Sequence, residues 1–121
     1  MGSYVDGFVL PIPRKNTARY RRIAKRAGEI WRDHGAVAYV ECIADDVKPG
    51  KWTSFPQAVK LKNDEIVWFS WIVFKSRAHR DRVNAAVLRD PRFQKLDGPG
   101  KSAPFDGRRM VYGGFKAQVE V

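Results

Sequence analysis

One stretch of chain constrains the rest. Residues 65–75 read EIVWFSWIVFK, a run of aromatic and β-branched residues of the kind that forms strands. Side chains alternate across a strand, so Ile66, Trp68, Ile72 and Phe74 share one face while Val67, Phe69, Trp71 and Val73 share the other. Both faces need cover. Leaving four large apolar side chains in water forfeits about 1.5–3 kcal/mol for each one that is fully buriable. A chain of 121 residues has room for one core, and helices from the same chain cover one face. A second copy is then the simplest cover for the other, and a monomer covered by the long 44–62 segment is the main alternative.

The flanking sequence supplies the helices. Residues 4–10, YVDGFVL, read as a strand closed by Pro11 and Pro13, with Gly7 marking a bulge, a close approach by another part of the chain, or a residue simply tolerated in a twisted sheet. Asn16 is placed to cap a helix whose apolar positions Tyr20, Ile23, Ala24, Ala27, Ile30, Trp31 and His34 recur at three- and four-residue spacing, and Gly35 is placed to stop it. Residues 36–43, AVAYVECI, form a second strand with Val37, Tyr39, Glu41 and Ile43 on one face and Ala38, Val40 and Cys42 on the other. An irregular excursion, 44–62, follows, with room for a short ribbon near 52–55 or 58–61. After the 65–75 strand, Ser76 is placed to cap a helix burying His79, Val83, Ala86 and Val87, which Asp90 and Pro91 end. A loop over 93–107 containing DGPG leads to a closing strand in RMVYGGFKAQVEV, kinked or relaxed at Gly113 and Gly114. The order strand, helix, strand, strand, helix, strand predicts an α+β, ferredoxin-like βαββαβ antiparallel sheet with two helices on one face, forming a dimeric α+β barrel as one domain over 1–121.

Charge narrows the partners. The formal net charge is +10, which permits attraction to polyanions. Many of the basic residues lie between Arg14 and Arg32, on the outer side of the first helix, where a solvated face is the simpler reading. Tyr20 and Trp31 fall on its apolar stripe, and no turn sets up a recognition helix, which argues against nucleic acid as the partner. No apolar run approaches the roughly 20 residues of a membrane span, and the start lacks a basic-then-apolar leader. Cys42 is the one cysteine, so no internal disulfide forms. A cytoplasmic location without membrane attachment is expected.

Chemistry-bearing residues are few. His34 and His79 do not make a three-histidine or HExxH metal site. His34, Glu41, Cys42, Asp45 and Asp46 are close in sequence, but their spacing fits no metal signature, so no metal is expected. There is no phosphate loop, dinucleotide fingerprint or G-x-S-x-G elbow, so no cofactor is expected. Glu41 shares a strand face with apolar side chains, where a carboxylate needs polar partners and its pKa rises; it is a candidate general base or a structural acceptor. Asp6, between Tyr4 and Phe8 on the first strand, presents the same choice, and His34 ends the helical stripe as a candidate proton carrier or a helix-end group. Trp71 is a candidate apolar wall, Trp52 a pocket-edge or lid residue in the irregular excursion, and Cys42 a further ligand-side candidate whose simpler reading is a buried inert thiol.

The strings YVDGFVLP, HGAVAYVEC, TSFP, FSWIVFKSRAHRD and PFDGRRMVYGGF span nearly the whole chain and resemble the YbaA-like family of small bacterial proteins of unknown function (domain of unknown function 1428). The resemblance implies a dimeric α+β-barrel architecture, a fold that also includes cofactor-free monooxygenase-like and other small-ligand proteins, and it carries no catalytic roles onto particular residues. The expected function is a cytoplasmic homodimer that binds or transforms a small organic metabolite, with Asp6, His34 and Glu41 as its polar residues. The alternatives are a noncatalytic structural or regulatory dimer, or a basic nucleic-acid-associated protein.

Overall fold

The structure, a computed structural model, describes residues 2–96 and 103–121. Four strands, β1 (Tyr4–Pro13), β2 (Ala38–Ile43), β3 (Glu65–Phe74) and β4 (Val111–Lys116), form one sheet. Its order is β2-β3-β1-β4 and every pairing is antiparallel. The helices are α1 (Thr17–Asp33), a short α2 (Phe55–Ala58), α3 (Arg77–Arg89) and a short α4 (Pro91–Gln94).

Alternation along β3 sorts the sheet into two faces. Ile72 and Phe74 pack with Tyr4, Ile30, Val83 and Val87, and Trp68 packs with Leu10, Ile12, Tyr20 and Ala24, so α1 and α3 cover this face. On the opposite face, Phe55 of α2 packs edge-on against Phe69 at 5.8 Å between ring centroids, and Val59, Val67 and Pro11 are buried. The excursion therefore covers one end of that face. Farther along, Phe69, Val111 and Phe115 are exposed, and Val5, Val9, Val40, Trp71 and Val73 are only partly covered.

The expected barrel is not what the chain forms. The sheet is open: β2 and β4, six residues each, flank the longer β1–β3 pair and do not meet. Closure requires every strand to have a neighbour on both sides, and this sheet keeps two edges.

Local corrections have local reasons. β1 runs through both prolines to Pro13, because beyond Val9 it pairs only with β3 and its other edge lacks a strand that would need a proline N–H. Gly7 sits in unbroken register opposite Trp71 and Gly113, without a bulge, and the register through Gly113 and Gly114 is likewise continuous. β2 starts at Ala38 rather than at residue 36. The 44–62 excursion contains helix α2 instead of a ribbon, capped by Ser54, whose hydroxyl accepts from the Gln57 N–H. Asn16 occupies the cap position of α1, but its side-chain amide donates to the Pro104 carbonyl. Ser76 caps α3 as expected, accepting from the His79 N–H. Gly35 ends the α1 region with φ +111°, a conformation that favours glycine. The loop expected over 93–107 begins inside α4, and its DGPG segment lies outside the described residues.

Candidate functional site

Between α1 and the β2 side of the sheet lies a chamber of about 390 Å³, within the roughly 300–1,000 Å³ of small-molecule sites. Aromatic rings make its walls. Trp31 packs against Tyr39 at 5.8 Å and edge-on against Phe93 at 5.3 Å; Tyr20 packs edge-on against Phe105 at 5.6 Å. The polar chemistry enters from β2 and β3. Glu41 lies opposite Ser70 in the β2–β3 register, and Tyr39 precedes it by two residues on the same face. A slip of one residue would turn Glu41 to the other side of the sheet.

Glu41 is held by neutral groups. The Tyr20 hydroxyl donates to its Oε1 at 2.8 Å, the Tyr39 hydroxyl donates to Oε2 at 2.7 Å, and Ser70 supplies a further side-chain hydrogen bond. No described cation forms an ion pair with it. Burial raises the carboxyl pKa, and the three hydroxyls oppose that rise without cancelling it. The same environment drives both tyrosines well above the ordinary phenol range, by burial first and then by the charge of Glu41 and its hydrogen bonds, so their O–H donors stay protonated. This arrangement can accept a proton from a ligand, return it, or receive a hydrogen-bond donor in an apolar room.

α1 approaches β2 at Gly28. A Cβ there would lie 2.6 Å from Cδ1 of Tyr39, so only glycine lets the helix pass over that ring. Outside the chamber, a groove along α1 is bordered by Arg21, Lys25, Ile43 and Trp68; it shares Ala24, Tyr39, Glu41 and Leu96 with the chamber. Glu41 thus stands where the apolar room meets the groove.

The other candidates lie elsewhere. Asp6, buried on the helix-covered face, pairs with Arg80 at 3.1 Å and accepts from Asn84 at 3.2 Å; Asn84 in turn accepts from the Trp31 indole at 2.9 Å. His34 caps the end of α1 and meets Asp90 at 2.8 Å. The constellation of Asp6, His34 and Glu41 does not assemble, because each is held by a different set of partners. Trp71 borders the chamber, yet its ring packs against Phe69 on the opposite face of the sheet. Trp52 is 84% exposed, with Lys51 over its ring, and borders neither the chamber nor the groove along α1. Cys42 points away from Glu41 and lines a separate apolar hollow with Phe55 and Phe69. Among the described residues, no three of His, Cys, Asp and Glu group as metal ligands, and no helix is long and apolar enough to cross a membrane.

Three site residues, Tyr20, Tyr39 and Ser70, were missed as chemistry. Their signals are visible in retrospect: Tyr39 shares the face of Glu41, Tyr20 lies on the stripe of α1, and Ser70 is the lone hydroxyl in EIVWFSWIVFK.

Residues 3–107 match the family described as "Protein of unknown function (DUF1428)". The chain is 44% identical over 117 residues to "Uncharacterized protein YbaA" of Escherichia coli (strain K12), covering 97% of each chain. The chain belongs to this family. The YbaA protein of Shigella flexneri is similar to the same extent, at 44% identity and 97% coverage of each chain. Among solved structures, the chain is similar to "De novo designed protein Foldit4", with a TM-score of 0.45, 14% identity, and coverage of 98% of this chain and 99% of that one.

Proposed function

We propose that this protein is a cytoplasmic homodimer, one domain over residues 1–121, that binds a small organic molecule in the α1–β2 chamber and addresses its polar group through Glu41. One observation carries the ligand reading: an aromatic-walled space holds a carboxylate bonded only to neutral hydroxyls. This carboxylate keeps a raised pKa and faces a room of ligand size, the condition that suits a group exchanging protons with what enters.

The dimer is supported by the uncovered part of the second sheet face. Phe69 is 42% and Phe115 64% exposed, with Trp71, Val5, Val9 and Val73 beside them in the sheet, an apolar area that a second copy would bury. The lone cysteine, without an internal disulfide, fits the proposed compartment.

The test is calorimetric titration of the purified protein with 1-naphthol, a flat apolar molecule with one hydroxyl donor. The expected result is saturable binding that weakens at least about tenfold, about 1.4 kcal/mol, in Ala27→Leu, which fills the chamber. Circular dichroism and thermal unfolding verify that the variant folds. Absence of binding to the wild-type protein, or equal binding to a folded Ala27→Leu variant, overturns the reading.

A further inference from the structure

The groove outside the chamber has chemistry that the chamber lacks. Among the described residues, Arg21 and Lys25 have no carboxylate within ion-pair distance, nor do Arg26 and Lys95 farther along the same groove, whereas Arg92 is paired with Asp33 at 2.8 Å and Asp90 at 2.9 Å, and Arg32 donates to the Val37 carbonyl; Glu29 is the groove's other carboxylate besides Asp33 and Glu41. Arg21 and Lys25 are four residues apart on α1 and therefore neighbours on one helix face. Both border the same groove as Glu41, Tyr39 and Trp68.

Trp68 provides an independent observation. It is 3% exposed, and its indole Nε1–H has no acceptor in the structure. A buried donor left unsatisfied costs about 1–3 kcal/mol, so such groups need a reason. Here the donor belongs to a side chain that borders the groove. A cationic border in which Arg21 and Lys25 stand side by side, together with one buried unsatisfied N–H, suits an acceptor that carries negative charge. The shared border at Ala24, Tyr39, Glu41 and Leu96 joins this groove to the aromatic room.

We infer that the ligand is an amphipathic organic anion, its apolar body in the aromatic chamber and its carboxylate-like group in the groove on Arg21, Lys25 and the Trp68 indole N–H. This rests on the chamber being a ligand site, and it adds the ligand's charge. It also gives the two halves of the site opposite tasks. The groove takes the permanent charge, while Glu41, which would repel that charge at close range, is left for a donor or an acidic proton on the body of the molecule. Part of the +10 net charge then has a local use in drawing an anion to the mouth.

The test compares 1-naphthoate with 1-naphthol, which have the same ring system and differ in charge, on the full-length wild-type protein and on an Arg21→Gln/Lys25→Gln variant. The expected result is that naphthoate binds about tenfold more tightly than naphthol at low salt. That preference shrinks at high salt and disappears in the double variant while naphthol binding is kept. The protein has four tryptophans, and in ¹⁵N-resolved spectra the Trp68 indole N–H, assigned with Trp68→Phe, is expected to move downfield on adding naphthoate. If naphthol binds and naphthoate binds no more tightly, the anion inference fails and the chamber reading stands. A preference that survives in the double variant overturns the assignment to Arg21 and Lys25. Failure of both compounds to bind overturns the inference together with the reading beneath it.

Discussion

Gly28→Ala places two known effects in opposition at the wall of the site. In an exposed helix interior, alanine in place of glycine stabilises by about 0.8–1 kcal/mol. At Gly28 the added Cβ would meet three carbons of the Tyr39 ring, at 2.6 Å from Cδ1, 2.9 Å from Cε1 and 3.1 Å from Cγ. These atoms lie at the base and side of the ring rather than at a flexible tip, so relief means moving the whole ring. The ring is fixed at both ends: its hydroxyl donates to Glu41 at 2.7 Å and its face lies against Trp31 at 5.8 Å. Overpacking of this kind costs about 1–3 kcal/mol, so the clash exceeds the helix gain and the variant loses about 1 kcal/mol net. Urea unfolding followed by tryptophan fluorescence measures this, with an unchanged m-value showing that compactness is preserved. Displacing Tyr39 from Glu41 should also weaken 1-naphthol binding. A variant that gains about 1 kcal/mol, as propensity alone dictates, would refute the claim that α1 clamps the Tyr39 ring over Glu41.

Glu41→Gln and Glu65→Gln should have opposite pH signatures. The Glu41 pKa is raised in the folded state, so that group's favourable contribution is complete below its ordinary value of 4.5 and is lost as pH rises above it. The amide should therefore become progressively more stable relative to wild type as pH rises through that value, read from urea midpoints; a constant difference across pH would contradict a displaced titration. Glu65 is lowered, chiefly by its hydrogen bond from Arg109, so its contribution is present above 4.5 and lost as pH falls. Glu65→Gln should destabilise at neutral pH and much less in acid, and equal loss at both would count against that pair. Asp6→Ala removes one of the two carboxylates on the Arg80 guanidinium, which keeps Asp81 at 2.8 Å, and takes away the acceptor of Asn84, at a cost of about 2 kcal/mol in chemical denaturation; a loss under about 1 kcal/mol, as for a surface pair, would show that the pair is not structural. Trp71→Glu puts a charge on the uncovered sheet face and should shift the light-scattering mass to that of a 13.8 kDa monomer. A wild-type protein already at that mass would remove the dimer.

Much of the fold was legible because burial writes a period into sequence. The alternation in EIVWFSWIVFK correctly sorted Trp68, Ile72 and Phe74 from Val67, Phe69 and Trp71, and three- and four-residue spacing located the buried side of α1 at Tyr20, Ala24, Ala27 and Ile30. Two-sided greasiness did not imply closure, since strand pairing at the edges is set by lengths and neighbours that hydrophobicity does not encode. The prolines misled for a similar reason: whether Pro11 and Pro13 end a strand depends on which side of β1 lacks a partner, a fact of topology.

The site was harder to read. Glu41 stood out because a carboxylate on an apolar strand face is costly. Its actual partners come from three elements, and only Tyr39 was near it in sequence. Asp6 and His34 carried equally suggestive chemistry, but their needs are met by Arg80, Asn84 and Asp90, residues remote in the chain. Gly28 within an amphipathic helix was the overlooked clue, since a glycine that weakens a helix there marks the close passage of another group.

A crystal structure of the protein soaked with 1-naphthol tests the central claim most directly. The account predicts density for the ring system among Trp31, Tyr39 and Phe93, with its hydroxyl on the Glu41 carboxylate. Density confined to the open sheet face around Phe69, or a chamber filled by its own side chains, would contradict it.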